Sequence, residues 1–375
     1  MINTKEFYDT LIENNFDYFV GVPDSLLKDF CLCITDNTKD NHIITANEGN
    51  AVAIAAGYNI ATSKYGVCYM QNSGLGNIIN PLLSLIDEKV YNIPMLFIIG
   101  YRGEPGVKDE PQHIKQGELT LPLLDTLGIK YFILDENYKN QLIECHKYVK
   151  ETNKPIALIV KKDTFTKYDK EFESNDLELT REEALETIIS NITEDDFIVS
   201  TTGKTSREIF EIREKRNEGH GSDFLTVGSM GHTSSLALGI SLNTDKNVYC
   251  IDGDGSMIMH MGGLAVTIQN AKDNFKYILI NNGCHESVGG EPTVSNSINI
   301  KEIFKGFGFK NVYEVSSKEE IIDALNNIKD DSKSAIIINT NSKSRKDLGR
   351  PTTSPIDNKI EFQKKIRSTN ESNNI

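Results

Sequence analysis

The chain has 375 residues, 38% hydrophobic and 25% charged, with a formal net charge of −14. That length accommodates two domains of ordinary size, and the composition is that of a soluble globular protein able to bury proper cores. The charge excludes a nucleic-acid surface, which needs clustered Lys and Arg, so any anionic ligand requires a local site of its own.

No apolar run is long enough to span a bilayer, and MINTKEFYDT at the N-terminus lacks the basic-then-apolar pattern of a secretory signal. A cytoplasmic protein without a membrane partner is therefore expected. The cysteines at 31, 33, 68, 145, 250 and 284 lie mostly within or beside apolar runs and show no paired metal spacing. They read as reduced, largely buried thiols, with Cys31-Leu32-Cys33 on one face of a helix.

Asn3-Thr4-Lys5-Glu6 has capping-box spacing, and Phe7, Tyr8, Leu11 and Ile12 follow at helical period, which predicts the first helix. Tyr18 to Val22 predicts a short strand stopped by Pro23, after which Asp24-Ser25 can cap the next helix. His42 to Ala46 reads as a buried strand, and the Ala-rich run from Asn50 as a closely packed helix. Glu48 falls at their junction, where the helix dipole alone would favour a carboxylate. Gly66 to Met70 and Ile93 to Ile99 read as further strands, the first followed by a glycine-containing turn, Gln71 to Asn77. From Gly100 to Gly117 the chain reads as a long loop holding Arg102, Lys108, Asp109, Glu110, His113 and Lys115, too charged for a simple connector. Tyr131 to Leu134 and Ile156 to Val160 complete the strands of the first half.

Lys167 to Thr180, poor in apolar residues, reads as a linker. Strands follow at Phe197 to Ser200, Phe224 to Gly228, Val248 to Ile251, Phe275 to Ile280, Val312 to Val315 and Ala335 to Ile338. The fold class is thus α/β, with two doubly wound parallel-sheet domains. Thr202-Gly203-Lys204-Thr205 looks like the end of a P-loop, but the first glycine of that motif would fall at Ile198. Lys204 and Arg207 remain, either as anion ligands or as residues of a solvated helix. The tail from Arg367 is polar and is expected to fray.

Val248 to Asn282 is the most informative stretch. An apolar run ends in Asp252-Gly253-Asp254-Gly255, a helix-length segment follows, and the run Phe275 to Ile280 delivers Asn281-Asn282. A parallel strand–crossover–strand unit opens both strand ends on one sheet edge, so Asp254 and Asn282 can face one crevice. A carboxylate oxygen, an amide oxygen and a backbone carbonyl suit Mg²⁺ when a diphosphate completes the shell. Glycines 253 and 255 let the backbone approach such phosphates. Either Asp-Gly or Asn-Gly alone would more often be a turn. A dinucleotide fingerprint fails, because its third glycine would be Ile258.

This GDG-to-NN pattern resembles the thiamin diphosphate motif, and Glu48-x-x-Ala51 before an Ala/Gly-rich helix is similar to the first half of the same enzymes. The chain resembles the thiamin diphosphate decarboxylases over almost its whole length, and within them the compact phosphonopyruvate and sulfopyruvate group, which lacks a middle domain. The segments carrying that closer match are GVPDS at 21–25, RGEPGVKDEPQH at 102–113, TTGKTSRE at 201–208, GSMGHTSSLALGI at 228–240 and SRKDLGRPTTSP at 344–355.

The resemblance implies a pyrimidine-binding domain at 1–166, a linker at 167–180, a diphosphate-binding domain at 181–366 and a flexible tail at 367–375. It implies thiamin diphosphate and Mg²⁺ as cofactors, with Asp254, Asn282 and the Cys284 carbonyl as metal ligands and Gly253, Asp254, Gly255, Ser256 and Asn282 against the cofactor. Glu48 would hydrogen-bond and protonate the aminopyrimidine, the Gly228 carbonyl would accept from it, and Met230 would wedge between the cofactor's two rings. Asp24 would be a second catalytic group. The implied substrate is 3-phosphonopyruvate, decarboxylated to an aldehyde, with Arg102, His113, Lys204 and Arg207 as candidate ligands and Arg345 and Arg350 in reserve. Sulfopyruvate, or a silent cofactor-binding subunit, is the alternative. A homodimer or homotetramer with the active site between subunits is the implied assembly.

Overall fold

The computed structural model describes residues 1–172, 175–328 and 332–372. Two units emerge, one made of residues 1–172 with 288–291, the other of the remaining described residues.

In the first unit α1 (Thr4–Glu13), β1 (Tyr18–Gly21), α2 (Lys28–Asn37), β2 (His42–Ile44), α3 (Glu48–Thr62), β3 (Gly66–Gln71), α4 (Leu75–Pro81), β4 (Met95–Gly100), α5 (Pro111–Thr126), β5 (Lys130–Ile133), α6 (Tyr138–Thr152) and β6 (Ile156–Val160) follow one another. Its strands form a parallel sheet of order β2-β1-β3-β4-β6-β5. In the second, α7 (Arg181–Asn191), β7 (Phe197–Ser200), α8 (Lys204–Lys215), β8 (Asp223–Leu225), α9 (Thr233–Ser241), β9 (Val248–Gly253), α10 (Asp254–Met259), α11 (Met261–Asn270), β10 (Phe275–Asn281), α12 (Ile300–Phe307), β11 (Asn311–Val315), α13 (Lys318–Ile328), β12 (Ser334–Asn339) and α14 (Pro355–Ser372) do the same. That sheet runs β11-β12-β10-β9-β7-β8, again all parallel. Counted from its own first strand, each sheet has the order 2-1-3-4-6-5.

Why continuous apolar runs make these strands is visible in β4, where Leu96 and Ile98 join one core cluster and Phe97 and Ile99 the other. In β10, Ile278 and Ile280 face one cluster while Tyr277 and Leu279 face the opposite one. A parallel sheet is covered by helices on both faces, so the two alternating sets are both apolar and the polar half of the pattern disappears. Each such side chain, fully buried, contributes roughly 1.5–3 kcal/mol relative to exposure. Helix starts are set by side-chain caps: Asn3 accepts from the Glu6 N–H at 3.0 Å, and Thr180 with Glu183 forms a reciprocal capping box on α7.

Several expectations are corrected. Strand β2 is the sheet edge, and Ile43 is exposed rather than buried. Strand β8, also an edge, stops at Leu225; its outer side is met by Asn358 of α14, which donates to the Asp223 carbonyl (2.8 Å) and accepts from the Leu225 N–H (3.1 Å). A side-chain amide thus supplies both halves of a missing ladder rung. Half of the long loop is helix: Pro111 occupies the first turn of α5, which carries His113 and Lys115. The tail expected to fray from Arg367 is helical to Ser372, with Thr369 buried; residues 373–375 lie outside the described residues. Within the expected linker, Tyr168 donates its N–H to Asp29 (3.0 Å) and its hydroxyl to Asp36 (2.8 Å), while Asn175 donates to the Thr340 carbonyl (3.0 Å). The thiols behave as expected: all six cysteines are free, and only Cys284 is not fully buried.

Candidate functional site

In the first unit Glu48 opens α3 and is 5% exposed. Its Oε2 accepts from Asn77 Nδ2 at 2.6 Å. The turn after β3 is shaped around it, since a Cβ on Gly74 would lie 2.5 Å from both Cγ and Oε1 of Glu48. Neither Asn77 nor Gly74 was singled out by the sequence, although both lie in or beside the glycine turn.

Asp24 does not cap α2. Three residues separate it from the helix, and its buried carboxylate instead accepts from the Leu26 N–H at 3.1 Å. It packs against the end of β4, where a Cβ on Gly100 would come within 2.0 Å of Oδ2. Burial pushes this carboxyl up to about 6, with the Arg102 guanidinium pulling the other way. Arg102 itself is committed. It grips Asp109 with two N–H groups, Nε at 2.8 Å, and donates Nη1 to Ser25 at 2.8 Å. This pairing holds Asp109 down at about 2. His113 is buried, Nδ1 lacks a partner among the described residues, and burial followed by the Arg102 charge lowers its pKa. Asn72 ties the arrangement to β3 by donating to the Arg102 carbonyl (2.7 Å) and to Thr120 (2.9 Å).

In the second unit Asp254 begins α10, 3% exposed, with Oδ2 accepting from the hydroxyls of Thr293 and Ser295, the latter at 3.0 Å. Burial raises its pKa and the two hydroxyls oppose the rise. Asn282 Oδ1 accepts from the Cys284 N–H at 3.2 Å, closing the turn at Gly283, whose φ of 71° favours glycine. Ser256 Oγ bonds to Thr201 Oγ1 at 3.2 Å and accepts from the Gly231 N–H at 3.0 Å. That second bond fixes the loop carrying Met230. Ser229 and Gly231 flank Met230 with φ of 54° and 88°, and a Cβ on Gly231 would lie 2.5 Å from the His260 ring. A non-glycine residue held left-handed at Ser229 is local strain of the kind that persists where surrounding contacts over-determine it. Gly228 lies just before it, and Gly253 N–H donates to Asp252 Oδ1 at 3.0 Å.

The basic candidates separate clearly. Lys204 donates to Glu286 (2.7 Å) and to Ser344 (2.6 Å). Glu286 is also bound by Arg181 at 2.5 Å, and Arg181 holds Glu208 through Nε and Nη2 at 2.7 and 2.8 Å. Burial pushes Glu286 up, but Arg181 and Lys204 together hold it below the ordinary glutamate value. Arg345 is paired with Glu182, Glu211 and Asp347. Arg207, half-buried, has no hydrogen bond or ion pair among the described residues, and burial lowers its pKa.

With this geometry in view, comparison with known proteins is decisive. The N-terminal domain model of the thiamine pyrophosphate enzymes matches residues 4–124, and their C-terminal TPP binding domain matches 201–339. The chain belongs to the thiamine pyrophosphate enzymes. Among curated proteins it is similar to the phosphonopyruvate decarboxylases of Streptomyces viridochromogenes and Streptomyces hygroscopicus. Identity is 29% in each case, over 89% of this chain and 87% of the first relative, and over 95% and 92% for the second. It is 27% identical to the sulfopyruvate decarboxylase of Methanosarcina acetivorans over 88% of this chain and 89% of that one.

The residues present fit the cofactor of this family and its divalent metal. Asp254, Asn282 and the Cys284 carbonyl would offer a metal hard oxygens, which accords with Mg²⁺ chemistry rather than with a His/Cys site. Gly255 leaves room that a Cβ would fill, 3.1 Å from the His285 ring and 3.5 Å from the Met230 methyl. Thr293 and Ser295, which hold Asp254, carry no local sequence signal, being 39 and 41 residues away.

Proposed function

We propose that the protein is a carboxy-lyase dependent on thiamin diphosphate and Mg²⁺, converting 3-phosphonopyruvate to phosphonoacetaldehyde and carbon dioxide. The reading is carried by the conjunction of Glu48, buried at the start of α3, with Asp254 and Asn282 at the ends of adjacent strands of the other sheet. The choice of substrate rests on the 29% identity to phosphonopyruvate decarboxylases over most of the chain. Bound thiamin diphosphate supplies the electron sink that lets a 2-oxo acid release its carboxylate.

The chain's own groups do the rest. Asp254, Asn282 and the Cys284 carbonyl hold the metal, with Gly253, Gly255 and Ser256 along the diphosphate. Met230, on its strained loop, would lie against the bound molecule, and the Gly228 carbonyl would accept a hydrogen bond from it. Glu48 holds a proton against the pyrimidine ring, oriented by Asn77. Asp24, poised near neutrality, is the second proton-exchanging acid. Arg207 supports recognition of the phosphonate, because Arg102, Lys204 and Arg345 already neutralise carboxylates within their own units. Residues 1–166 act as the pyrimidine half and 181–366 as the diphosphate half. No helix among the described residues is long and apolar enough to cross a membrane; we place the protein in the cytoplasm as a homodimer or homotetramer with the active site between subunits.

Incubating the protein with thiamin diphosphate, Mg²⁺ and each of 3-phosphonopyruvate, sulfopyruvate and pyruvate, with trapping of the aldehyde, tests the reading. Fastest release from phosphonopyruvate is expected. Preference for sulfopyruvate would move the protein to the activity of the Methanosarcina relative, and no aldehyde from any of them would indicate a silent subunit.

A further inference from the structure

His285 follows Cys284 in the loop after β10. Its backbone is held from both sides. On one, the Cys284 N–H is locked to Asn282 Oδ1 at 3.2 Å; on the other, Glu286 is clamped by Arg181 at 2.5 Å and Lys204 at 2.7 Å. Arg181 begins α7 and Lys204 begins α8, so the clamp joins the loop to two helices of the sheet scaffold. The backbone at His285 is consequently anchored on both sides.

The ring stands over Gly255. A Cβ built there would lie 3.1 Å from Cε1 and 3.2 Å from Nδ1 of His285, with the Met230 methyl 3.5 Å away on the same side. Imidazole, Met230 and the bare backbone of the Gly253-Asp254-Gly255 turn therefore share one surface. Among the described residues neither ring nitrogen of His285 has a hydrogen-bond partner. The edge that faces the turn holds Nδ1, and with the proton on Nδ1 the imidazole directs a donor to where the family reading places the diphosphate.

We propose that His285 donates a hydrogen bond to a diphosphate oxygen of the bound cofactor, making it a binding residue of the diphosphate half. The inference rests on the cofactor reading above. Its role is to fix the anion laterally, between the metal ligands and Met230. The Glu286 clamp is then the device that holds the imidazole in place, which gives the Arg181–Glu208–Glu286–Lys204 cluster a purpose beyond packing.

The test uses the full-length apo protein and titration calorimetry with two probes, Mg²⁺–thiamin diphosphate and Mg²⁺–inorganic diphosphate, with ³¹P NMR of the bound cofactor. Charge-assisted hydrogen bonds are the strong ones, and losing one here should weaken both probes about tenfold or more in His285→Ala. The ³¹P signals should shift, and His285→Gln, which keeps an N–H donor, should recover part of the loss. Equal affinity for both probes in wild type and His285→Ala, with unshifted ³¹P signals, would overturn the inference while leaving the family reading intact. Loss in His285→Ala that His285→Gln does not relieve would also overturn it, pointing to packing rather than donation. A wild-type protein that bound neither probe would remove the cofactor reading itself. Equal thermal melts of all three apo proteins establish that the variants are folded.

Discussion

The two units share one strand order, yet what they place after corresponding strands differs in kind. The second strand leads to Glu48 in one unit and to the Met230 loop in the other; the third leads to the Gly74 turn and to Asp254; the fourth to Arg102 and to Asn282. In the first unit Glu48 and Asp24 are lightly held. Glu48 takes one side-chain amide, and Asp24 is buried against backbone N–H groups with its carboxyl raised to about 6. In the second, Asp254 takes two hydroxyls on one oxygen, and Glu286 is gripped by two cations. One sheet thus presents two buried acids with few partners, and the other presents a carboxylate held by hydroxyls and a glutamate compensated by two cations. Strand order dictates where functional groups can stand; the side chains that surround each acid decide how firmly it is held.

The sharpest way to break this contrast is Glu48→Gln, which keeps the shape and the Asn77 contact but removes the proton. Turnover should fall by roughly 10²–10⁴, the usual range for loss of a general acid–base group, as measured by aldehyde release at saturating cofactor. A fall of less than threefold would make Glu48 a helix-terminal carboxylate. Arg207→Ala comes next: kcat/KM for phosphonopyruvate should drop about 10- to 100-fold, the worth of a charge-assisted contact, with residual pyruvate turnover little changed. Equal losses on both substrates would place the phosphonate elsewhere.

Gly74→Ala tests whether the turn after β3 positions the acid. The added methyl would overlap Glu48, and overpacking of this kind costs about 1–3 kcal/mol; turnover should fall about tenfold while cofactor affinity stays near wild type. The last effect is thermodynamic. Asp24 is raised from 3.8 to about 6 by burial, so the folded state binds this proton more tightly than the unfolded chain. Stability is therefore lost as pH climbs from about 4 through about 6, and the penalty is full above that. Asp24→Asn should stabilise the protein by up to about 3 kcal/mol at pH 8 and by well under about 1 kcal/mol at pH 4, seen as a pH-dependent difference in denaturation midpoints. A pH-independent difference would deny the shift.

Much of this was legible locally. Strands such as Phe275–Asn281 and Ile156–Val160 announce themselves because burial on both faces leaves an uninterrupted apolar run. Edge strands do not: His42–Ile44 and Asp223–Leu225 are only three residues long, too short for a run of apolar residues to mark their limits. Helix α5 was hidden because Pro111 reads as a loop residue, whereas at the first turn proline loses no hydrogen bond. Glu48, Asp254 and Asn282 could be found because each sits at a strand end beside a recognisable pattern. What could not be read were pairings across long separations. Lys204 meets Glu286 82 residues away, and Arg181 meets it across 105. Nothing near Lys204 in sequence distinguishes a neutralised lysine from one awaiting an anion.

Calorimetric titration of Mg²⁺–thiamin diphosphate into Glu48→Gln and Asp254→Ala side by side tests the division of labour most directly. The account predicts that Glu48→Gln binds within about threefold of wild type, since one hydrogen bond is conserved, whereas Asp254→Ala loses about 100-fold or more with the charged metal ligand. Wild-type affinity in Asp254→Ala, or equal losses in the two variants, would contradict it.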